Sequence, residues 1–253
     1  MNQKKILLFI LTLFLFFSCK QTETNHLTIA TAANMQFAID KITEAFTNET
    51  GIKCETIISS SGKLTAQIKE GAPYHIFVSA DMKYPNELYA SGFATQKPKI
   101  YAYGKLVMWS MVDSIIPSIQ LLQHKKIDHI AIANPKTAPY GLAAIEVLKK
   151  FSIFDSIQHK LVYGESIAQT NQFITTKAAE IGFTAKSVVS SPSIKEMGNW
   201  IEIDESNYTP IAQGIVILKN KTTNFNQAQK FYNFLFSIKG KEILKTFGYS
   251  VKE

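Results

Sequence analysis

Residues 27–46 read LTIATAANMQFAIDKITEAF, and this stretch contains three patterns in succession. It begins with a short apolar run, Leu27 to Ala30, which is typical of a buried strand. Small and polar residues follow at 31–34. Apolar residues then recur at helical spacing until Gly51. These are Met35, Ile39, Ile42 and Phe46. The stretch therefore predicts a strand, a tight polar turn and an amphipathic helix.

The same unit recurs along the chain. Further strands are predicted at 56–58, 75–79, 130–133 and 181–184. Helices are predicted from the apolar spacing of Leu64 and Ile68, of Leu142, Ile145, Leu148 and Phe151, and of inward-facing Phe231, Phe234, Leu235, Ile238 and Leu244. Alternating strands and helices favour an α/β fold with largely parallel sheets. Two longer strand candidates, at 105–110 and 213–218, are predicted to cross between two lobes.

Composition excludes several protein classes. The chain has 253 residues, of which 46% are hydrophobic and 11% aromatic, too many for global disorder. Its one long apolar run, residues 6–17, is shorter than the roughly 20 residues of a spanning helix. Two cysteines exclude a disulfide scaffold, and Cys54 is predicted to be a small buried residue. A net charge of +7 is too dilute to predict a nucleic-acid partner.

The N-terminus is typical of an exported lipoprotein. Residues 1–18 combine two lysines, an apolar stretch and a small final residue, which predicts a signal peptide. Cys19 follows at once, and Phe16-Phe17-Ser18-Cys19 resembles a lipobox, so Cys19 is predicted to be lipidated and residues 19–26 to form a tether. The protein would then lie at the periplasmic face of a bacterial membrane. The alternative is an ordinary signal peptide with an incidental cysteine.

Each of four predicted strands ends in a small, polar turn that opens a helix. The turns lie at 31–34, 59–62, 134–141 and 164–167. Helix starts present free N–H groups and a positive dipole end, and ligands of α/β sheets bind at the edge where such turns gather. A single turn of this kind is an ordinary helix cap, but four together predict an anion site. The sequence contains no arginine, which disfavours an organic carboxylate as the ligand.

Several motifs occur in a specific order. They are Ala30-Thr31-Ala32-Ala33-Asn34-Met35, Ser59-Ser60-Ser61-Gly62-Lys63-Leu64, Gly71-Ala72-Pro73, Phe77-Val78-Ser79-Ala80-Asp81, Pro139-Tyr140-Gly141 and Glu180-Ile181-Gly182-Phe183. In this order the chain resembles the periplasmic molybdate-binding proteins of ABC transporters over nearly its whole mature length. The resemblance implies a two-lobed type II periplasmic-binding-protein fold with two crossing strands as hinge. We expect lobe 1 to hold residues 27–104 and 216–253, and lobe 2 to hold 105–215.

The resemblance also implies the ligand and its contacts. Asn34 and Ser61 would donate from side chain and backbone, whereas Ala80, Tyr140 and Ile167 would donate from backbone N–H groups. Some members carry a binding tyrosine where this chain has Ala185, so the Tyr140 hydroxyl would have to replace it. The implied ligand is molybdate or tungstate, without a cofactor or separate metal ion. The implied partners are an ABC permease and its ATPase, with the protein itself a monomer.

A site made of donors alone predicts selectivity. Phosphate carries a proton near neutral pH and would need an acceptor, so we expect it to be rejected and Asp81 to face away. Sulfate remains an alternative ligand, because only cavity size separates it from molybdate. A more remote alternative is an acyl-transfer enzyme using Ser60-x-x-Lys63, but the companion motifs of that class are absent. The five histidines lack the short spacings of a metal site.

Overall fold

The computed structural model describes residues 26–220 and 222–252. The predicted signal peptide, Cys19 and the tether up to residue 25 lie outside these ranges. Within them, no helix combines the length and the apolar character needed to span a bilayer.

Ten strands form two five-stranded sheets in the described part of the chain. In chain order they are β1 (His26–Ala32), β2 (Lys53–Ser59), β3 (Ile76–Val78), β4 (Lys99–Gly104), β5 (Leu106–Ser110), β6 (Ile130–Ala133), β7 (Leu161–Gly164), β8 (Ile181–Ala185), β9 (Asn199–Glu202) and β10 (Ile211–Ile217). All five short strands predicted from the sequence are confirmed. The apolar runs of four of them are buried, whereas the run at 56–58 lies in the edge strand β2 and is only partly buried, with Ile58 39% exposed.

Nine α-helices accompany these strands in the same ranges. They are α1 (Gln36–Thr50), α2 (Ser61–Lys69), α3 (Lys83–Ala90), α4 (Pro139–Lys150), α5 (Phe154–Ile157), α6 (Ile167–Thr175), α7 (Lys186–Val189), α8 (Phe225–Phe236) and α9 (Ile238–Thr246). A short 3-10 helix, Ala33–Met35, links β1 to α1. The predicted unit of strand, polar turn and helix is therefore confirmed at 27–50.

The two sheets have matching topologies. The first has the order β2-β1-β3-β10-β4, with β1 parallel to β2 and β3 and with β10 antiparallel to its neighbours. The second has the order β7-β6-β8-β5-β9, with β6 parallel to β7 and β8 and with β5 antiparallel to its neighbours. Each sheet and its helices form one lobe, and the carboxyl ends of β1 and β6 point toward the space between the lobes. The predicted two-lobed α/β fold is confirmed.

The chain passes between the sheets twice. Only Lys105 separates β4 in the first sheet from β5 in the second. The return passage is residues 203–210, which include the 3-10 helix Glu205–Asn207. The strand expected to cross at 213–218 lies instead in the first sheet, since β10 pairs there with β3 and β4. Residues 211–215 thus belong to the first sheet. The boundary between lobe 2 and lobe 1 that the sequence predicted at 215/216 therefore falls inside β10.

The C-terminal helix predicted at 225–247 is broken in two at Ser237. The residue is extended (φ −68°, ψ 164°), and its hydroxyl accepts a hydrogen bond from the Gly240 N–H at 3.1 Å, so it caps α9. The break changes the helical phase. Ile238, predicted to face inward, is consequently 79% exposed, whereas Phe231, Phe234, Leu235 and Leu244 are buried as predicted.

The core of the first lobe is built on aromatic edge contacts. Phe46 of α1 meets Phe231 and Phe234 of α8 with ring centroids 5.2 and 5.6 Å apart. Such pairs add about 0.5–1.5 kcal/mol beyond the burial of their area.

In the second lobe, α4 turns Leu142 outward with half of its surface exposed, because small residues such as Ala143 and Ala144 face the sheet instead.

Candidate anion site

A small cavity lies between the lobes where the strands end. The first lobe contributes Ala32, Ala33, Asn34, Ser60, Ser61 and Ala80, and the second contributes Ala138, Pro139, Tyr140 and Ile167. The five residues predicted from the resemblance all line this cavity. None of the lining residues carries a charged side chain.

Four helix starts converge on the cavity. They are the 3-10 helix at Ala33, α2 at Ser61, α4 at Pro139 and α6 at Ile167. The first N–H groups of a helix have no partner within the helix, and the helix dipole adds partial positive charge there. The cavity therefore offers an anion a positive potential that comes from the backbone and not from cationic side chains.

The N–H groups at the start of α2 can be counted individually. The Lys63 N–H donates to the capping Ser60 hydroxyl at 3.4 Å. The Gly62 N–H donates across the cleft to the Thr137 carbonyl at 2.9 Å. Of the N–H groups in the first turn of α2, that of Ser61 therefore remains available to a ligand in the cavity.

Ser61 and Ala80 are directly bonded to each other. The Ala80 N–H donates to Ser61 Oγ at 3.0 Å. Because this bond uses an oxygen lone pair, the Ser61 hydroxyl proton stays available for a ligand. Ala80 fixes the serine in this arrangement, so direct donation from the Ala80 N–H to an anion stays a prediction.

Asp81 does not line the cavity, as the sequence predicted. Its carboxylate accepts hydrogen bonds from the Ser79 hydroxyl and the Tyr84 N–H, both at 3.2 Å. Burial is the main influence on this group and raises its pKa. The acid therefore serves the start of α3 and leaves the cavity without a carboxylate.

The Asn34 side chain reaches toward β10 and the C-terminal end of the described chain. Its Nδ2 donates to Gln213 Oε1 at 3.0 Å and to the Tyr249 hydroxyl at 2.9 Å. Its backbone carbonyl accepts hydrogen bonds from the hydroxyls of Tyr249 (3.0 Å) and Ser187 (2.7 Å). Ser187 lies at α7 in the second lobe, so these bonds also join the lobes. Asn34 Oδ1 is buried and has no protein partner among the described residues.

The Tyr140 hydroxyl lies beside Gln213 of β10 and Gly104 of β4. It accepts a hydrogen bond from Gln213 Nε2 at 3.1 Å, and burial raises the pKa of Tyr140 well above its ordinary value. The group is therefore neutral at any physiological pH. Ala185, which stands where some family members have a tyrosine, is fully buried and does not line the cavity. Replacement of that tyrosine by the Tyr140 hydroxyl stays a prediction. Because this hydroxyl is bonded to Gln213, the geometry favours the backbone of Tyr140 as the group that faces the cavity.

Sequence reasoning missed the polar cluster behind the cavity. Gln213, Tyr101, Tyr249 and Ser187 belong to it, and none of them lies in a recognisable motif. The one available signal was Gln213, a lone amide inside the apolar strand IAQGIVI. A buried amide in such a strand must find partners, because leaving it unpaired costs about 1–3 kcal/mol.

The lobes also touch at the mouth of the cavity. The Tyr84 hydroxyl donates to the Lys136 carbonyl at 3.1 Å, and the Lys63 ammonium pairs with the Glu165 carboxylate. The two lysines of the turns around the cavity thus lie at its rim. The Lys63 ammonium faces an acid of the opposite lobe and not the cavity.

Residues 27–250 match the model of a family described as bacterial extracellular solute-binding protein. The chain belongs to this family. The molybdate-binding protein ModA of Azotobacter vinelandii is 36% identical over 226 residues, which cover 88% of this chain and 89% of that protein. The solved structure of the periplasmic molybdate-binding protein of the same organism matches with a TM-score of 0.84 and 33% identity, over 90% of this chain and all of that chain. The resemblance predicted from the motifs is confirmed.

A third relative comes from another bacterium. A Bacillus subtilis protein named as the putative ABC transporter substrate-binding lipoprotein YvgL is 28% identical, with 89% of this chain and 86% of that protein covered. These relatives are solute-binding transport proteins, which places this chain in the same broad class.

Proposed function

We propose that this solute-binding protein captures molybdate or tungstate between its lobes and delivers it to an ABC permease with its ATPase. The observation that carries the proposal is the gathering of Asn34, Ser61, Ala80, Tyr140 and Ile167 around one uncharged cavity at four helix starts. The names of the Azotobacter relatives support the same ligand.

Neutral donors suffice to bind a dianion. Roughly six to eight hydrogen bonds to a charged acceptor contribute about 1.5–3 kcal/mol each, and helix ends add about 0.3–1 kcal/mol. Desolvation of the anion and ordering of the lobes oppose this gain. A net of about 8–12 kcal/mol corresponds to micromolar to nanomolar affinity.

The same site discriminates between oxyanions. Phosphate would bring an O–H group that needs an acceptor, and the nearby acid, Asp81, is engaged with Ser79 and Tyr84. We propose that phosphate is excluded for this reason, and that sulfate is excluded by size alone. Tungstate and molybdate are nearly equal in size and would bind alike.

We propose export and lipid anchoring at Cys19, with residues 1–18 removed. The order of lysines, apolar run and cysteine supports this, as does the name of the Bacillus subtilis relative, a putative ABC transporter substrate-binding lipoprotein. Acyl chains hold a protein on a membrane at about 0.8 kcal/mol for each buried methylene. We propose that the protein acts as a monomer. Its first lobe would consist of residues 27–104 and the chain from residue 211 onward, its second lobe of residues 105–210, and the two would close by rotation at the two passages.

We propose that the chain has no acyl-transfer activity. The Ser60 hydroxyl caps α2, and the Lys63 ammonium pairs with Glu165, so neither group is arranged as a nucleophile and base. Covalent labelling by a fluorescent penicillin would contradict this.

The proposed function is tested by calorimetry of the purified mature protein with a set of oxyanions. We expect molybdate and tungstate to bind far more tightly than sulfate, with no heat from phosphate. Equal affinity for sulfate would contradict the molybdate assignment, and tight phosphate binding would contradict a site made only of donors.

A further inference from the structure

Gln213 is a fully buried amide whose hydrogen-bonding groups have named partners. Its Oε1 accepts hydrogen bonds from Asn34 Nδ2 at 3.0 Å and from the Tyr101 hydroxyl at 2.6 Å. Its Nε2 donates to the Tyr140 hydroxyl at 3.1 Å. In this arrangement the amide oxygen receives two donors and the amide nitrogen faces Tyr140.

These contacts connect two cavity residues that belong to different lobes. Gln213 and Asn34 belong to the first lobe, whereas Tyr140 belongs to α4 of the second. The Gln213 side chain thus connects Asn34, at the start of one helix, with Tyr140, at the start of another. It does so beside the first passage between the sheets, since Gly104 lies next to both the Gln213 amide and the Tyr140 hydroxyl.

The local backbone makes room for this arrangement. The pairing of β10 with β4 changes register between Gln213 and Gly214, and such an irregularity re-aims a side chain. On the facing strand, a Cβ added to Gly104 would lie 2.0 Å from the Tyr140 hydroxyl and 2.4 Å from Gln213 Nε2. A side chain at position 104 would therefore force the Gln213 amide or the Tyr140 hydroxyl to shift.

We propose that Gln213 is a positioning residue for anion capture, which holds Asn34 and Tyr140 so that their helix starts face the cavity together when the lobes are in contact. The inference rests on the proposed function. An amide is the side chain that meets both requirements, since it bridges an N–H donor and a hydroxyl acceptor without bringing charge near a dianion. A glutamate of equal size would remove the donor to Tyr140 and place a negative charge behind the site.

The test compares variants of the mature protein by molybdate titration and thermal unfolding. We expect Gln213→Met to raise the Kd for molybdate by about tenfold and Gln213→Glu to raise it further at pH 8. Tyr140→Phe removes the acceptor of the Gln213 amide. If Gln213 acts through Tyr140, the double variant Gln213→Met, Tyr140→Phe loses clearly less affinity than the two single losses combined.

The control is Phe46→Leu, which loosens the core of the first lobe away from Gln213. We expect this variant to lower the Tm but to leave the Kd within twofold. An unchanged Kd in Gln213→Glu, or losses that combine in full in the double variant, would overturn the positioning role. Absence of molybdate and tungstate binding by the unsubstituted protein would overturn the proposed function itself, and the inference with it.

Discussion

The backbone N–H of Gly62 donates to the carbonyl of Thr137 at 2.9 Å, directly joining the two lobes at the rim of the cavity. Gly62 is the second residue of α2, so this N–H is one that the helix leaves without a partner. A Cβ at position 62 would lie 3.0 Å from Thr137 Cα and 2.7 Å from the Tyr84 hydroxyl. The absence of a side chain at this position therefore lets the lobes approach.

Gly62→Ala should weaken anion binding without destabilising the protein. The new methyl group meets backbone of the opposite lobe, and crowding of this kind costs about 1–3 kcal/mol, or roughly 5- to 150-fold in Kd. Within α2, alanine is a better helix former than glycine, so the Tm of the ligand-free protein should be unchanged or slightly higher. Calorimetry and thermal unfolding measure the two effects, and normal affinity would show that the lobes need not meet here.

Ser61→Ala should lower affinity for molybdate by about 1–3 kcal/mol, because it removes one hydroxyl donor to a charged acceptor. The Ala80 N–H would also lose its partner. The matched control is Ser237→Ala, which removes a helix cap remote from the cavity and should lower the Tm while the Kd stays constant. If both variants bind equally well, the Ser61 hydroxyl does not contact the anion.

The sequence predicted the part of the site that is local in the chain. A strand, a small polar turn and a helix are encoded within about 20 residues, so the helix starts that carry Asn34 and Ser61 follow from the amino-acid pattern alone. The partners of these residues could not be predicted. Asn34 contacts Gln213 and Tyr249, which lie 179 and 215 positions away, and periodicity contains no information about such pairs.

Helix boundaries are a second limit. The spacing of apolar residues continues through Ser237 and so predicts one long helix with Ile238 inward. A serine cap can end one helix and begin the next without any loss of apolar residues, and the change of phase is then invisible in the pattern. The second passage between the sheets is misplaced for a similar reason, because β10 is largely apolar and does not reveal which sheet contains it.

Stability should fall as the pH drops below about 6.5, the ordinary pKa of histidine. His75 Nδ1 accepts a hydrogen bond from the Thr28 N–H at 2.9 Å, which requires a neutral ring. Burial, followed by the charge of nearby His26, lowers the pKa of His75 in the folded protein. The unfolded chain therefore binds the proton at higher pH than the folded one, and stability is lost as the pH falls from the unfolded pKa toward the folded pKa.

Thermal unfolding between pH 8 and pH 5 measures this effect in the unsubstituted protein and in two variants. His75→Asn keeps an acceptor for Thr28 but cannot titrate, so its Tm should decline less over the same interval. His159→Asn replaces an exposed histidine and should follow the unsubstituted protein. Parallel curves for all three proteins would remove His75 as the source of the pH dependence.

Cys19→Ser should release the protein from the membrane fraction. The proposed anchor depends on acylation of this thiol, and loss of the acyl chains removes about 0.8 kcal/mol of membrane affinity for each buried methylene. The chain provides its own control in Cys54, whose thiol lies in β2, where burial raises its pKa to about 12 and keeps it protonated. Cys54→Ser should therefore remain in the membrane fraction. Fractionation of cells fed a labelled fatty acid distinguishes the two variants, and release of both, or of neither, would contradict anchoring at Cys19.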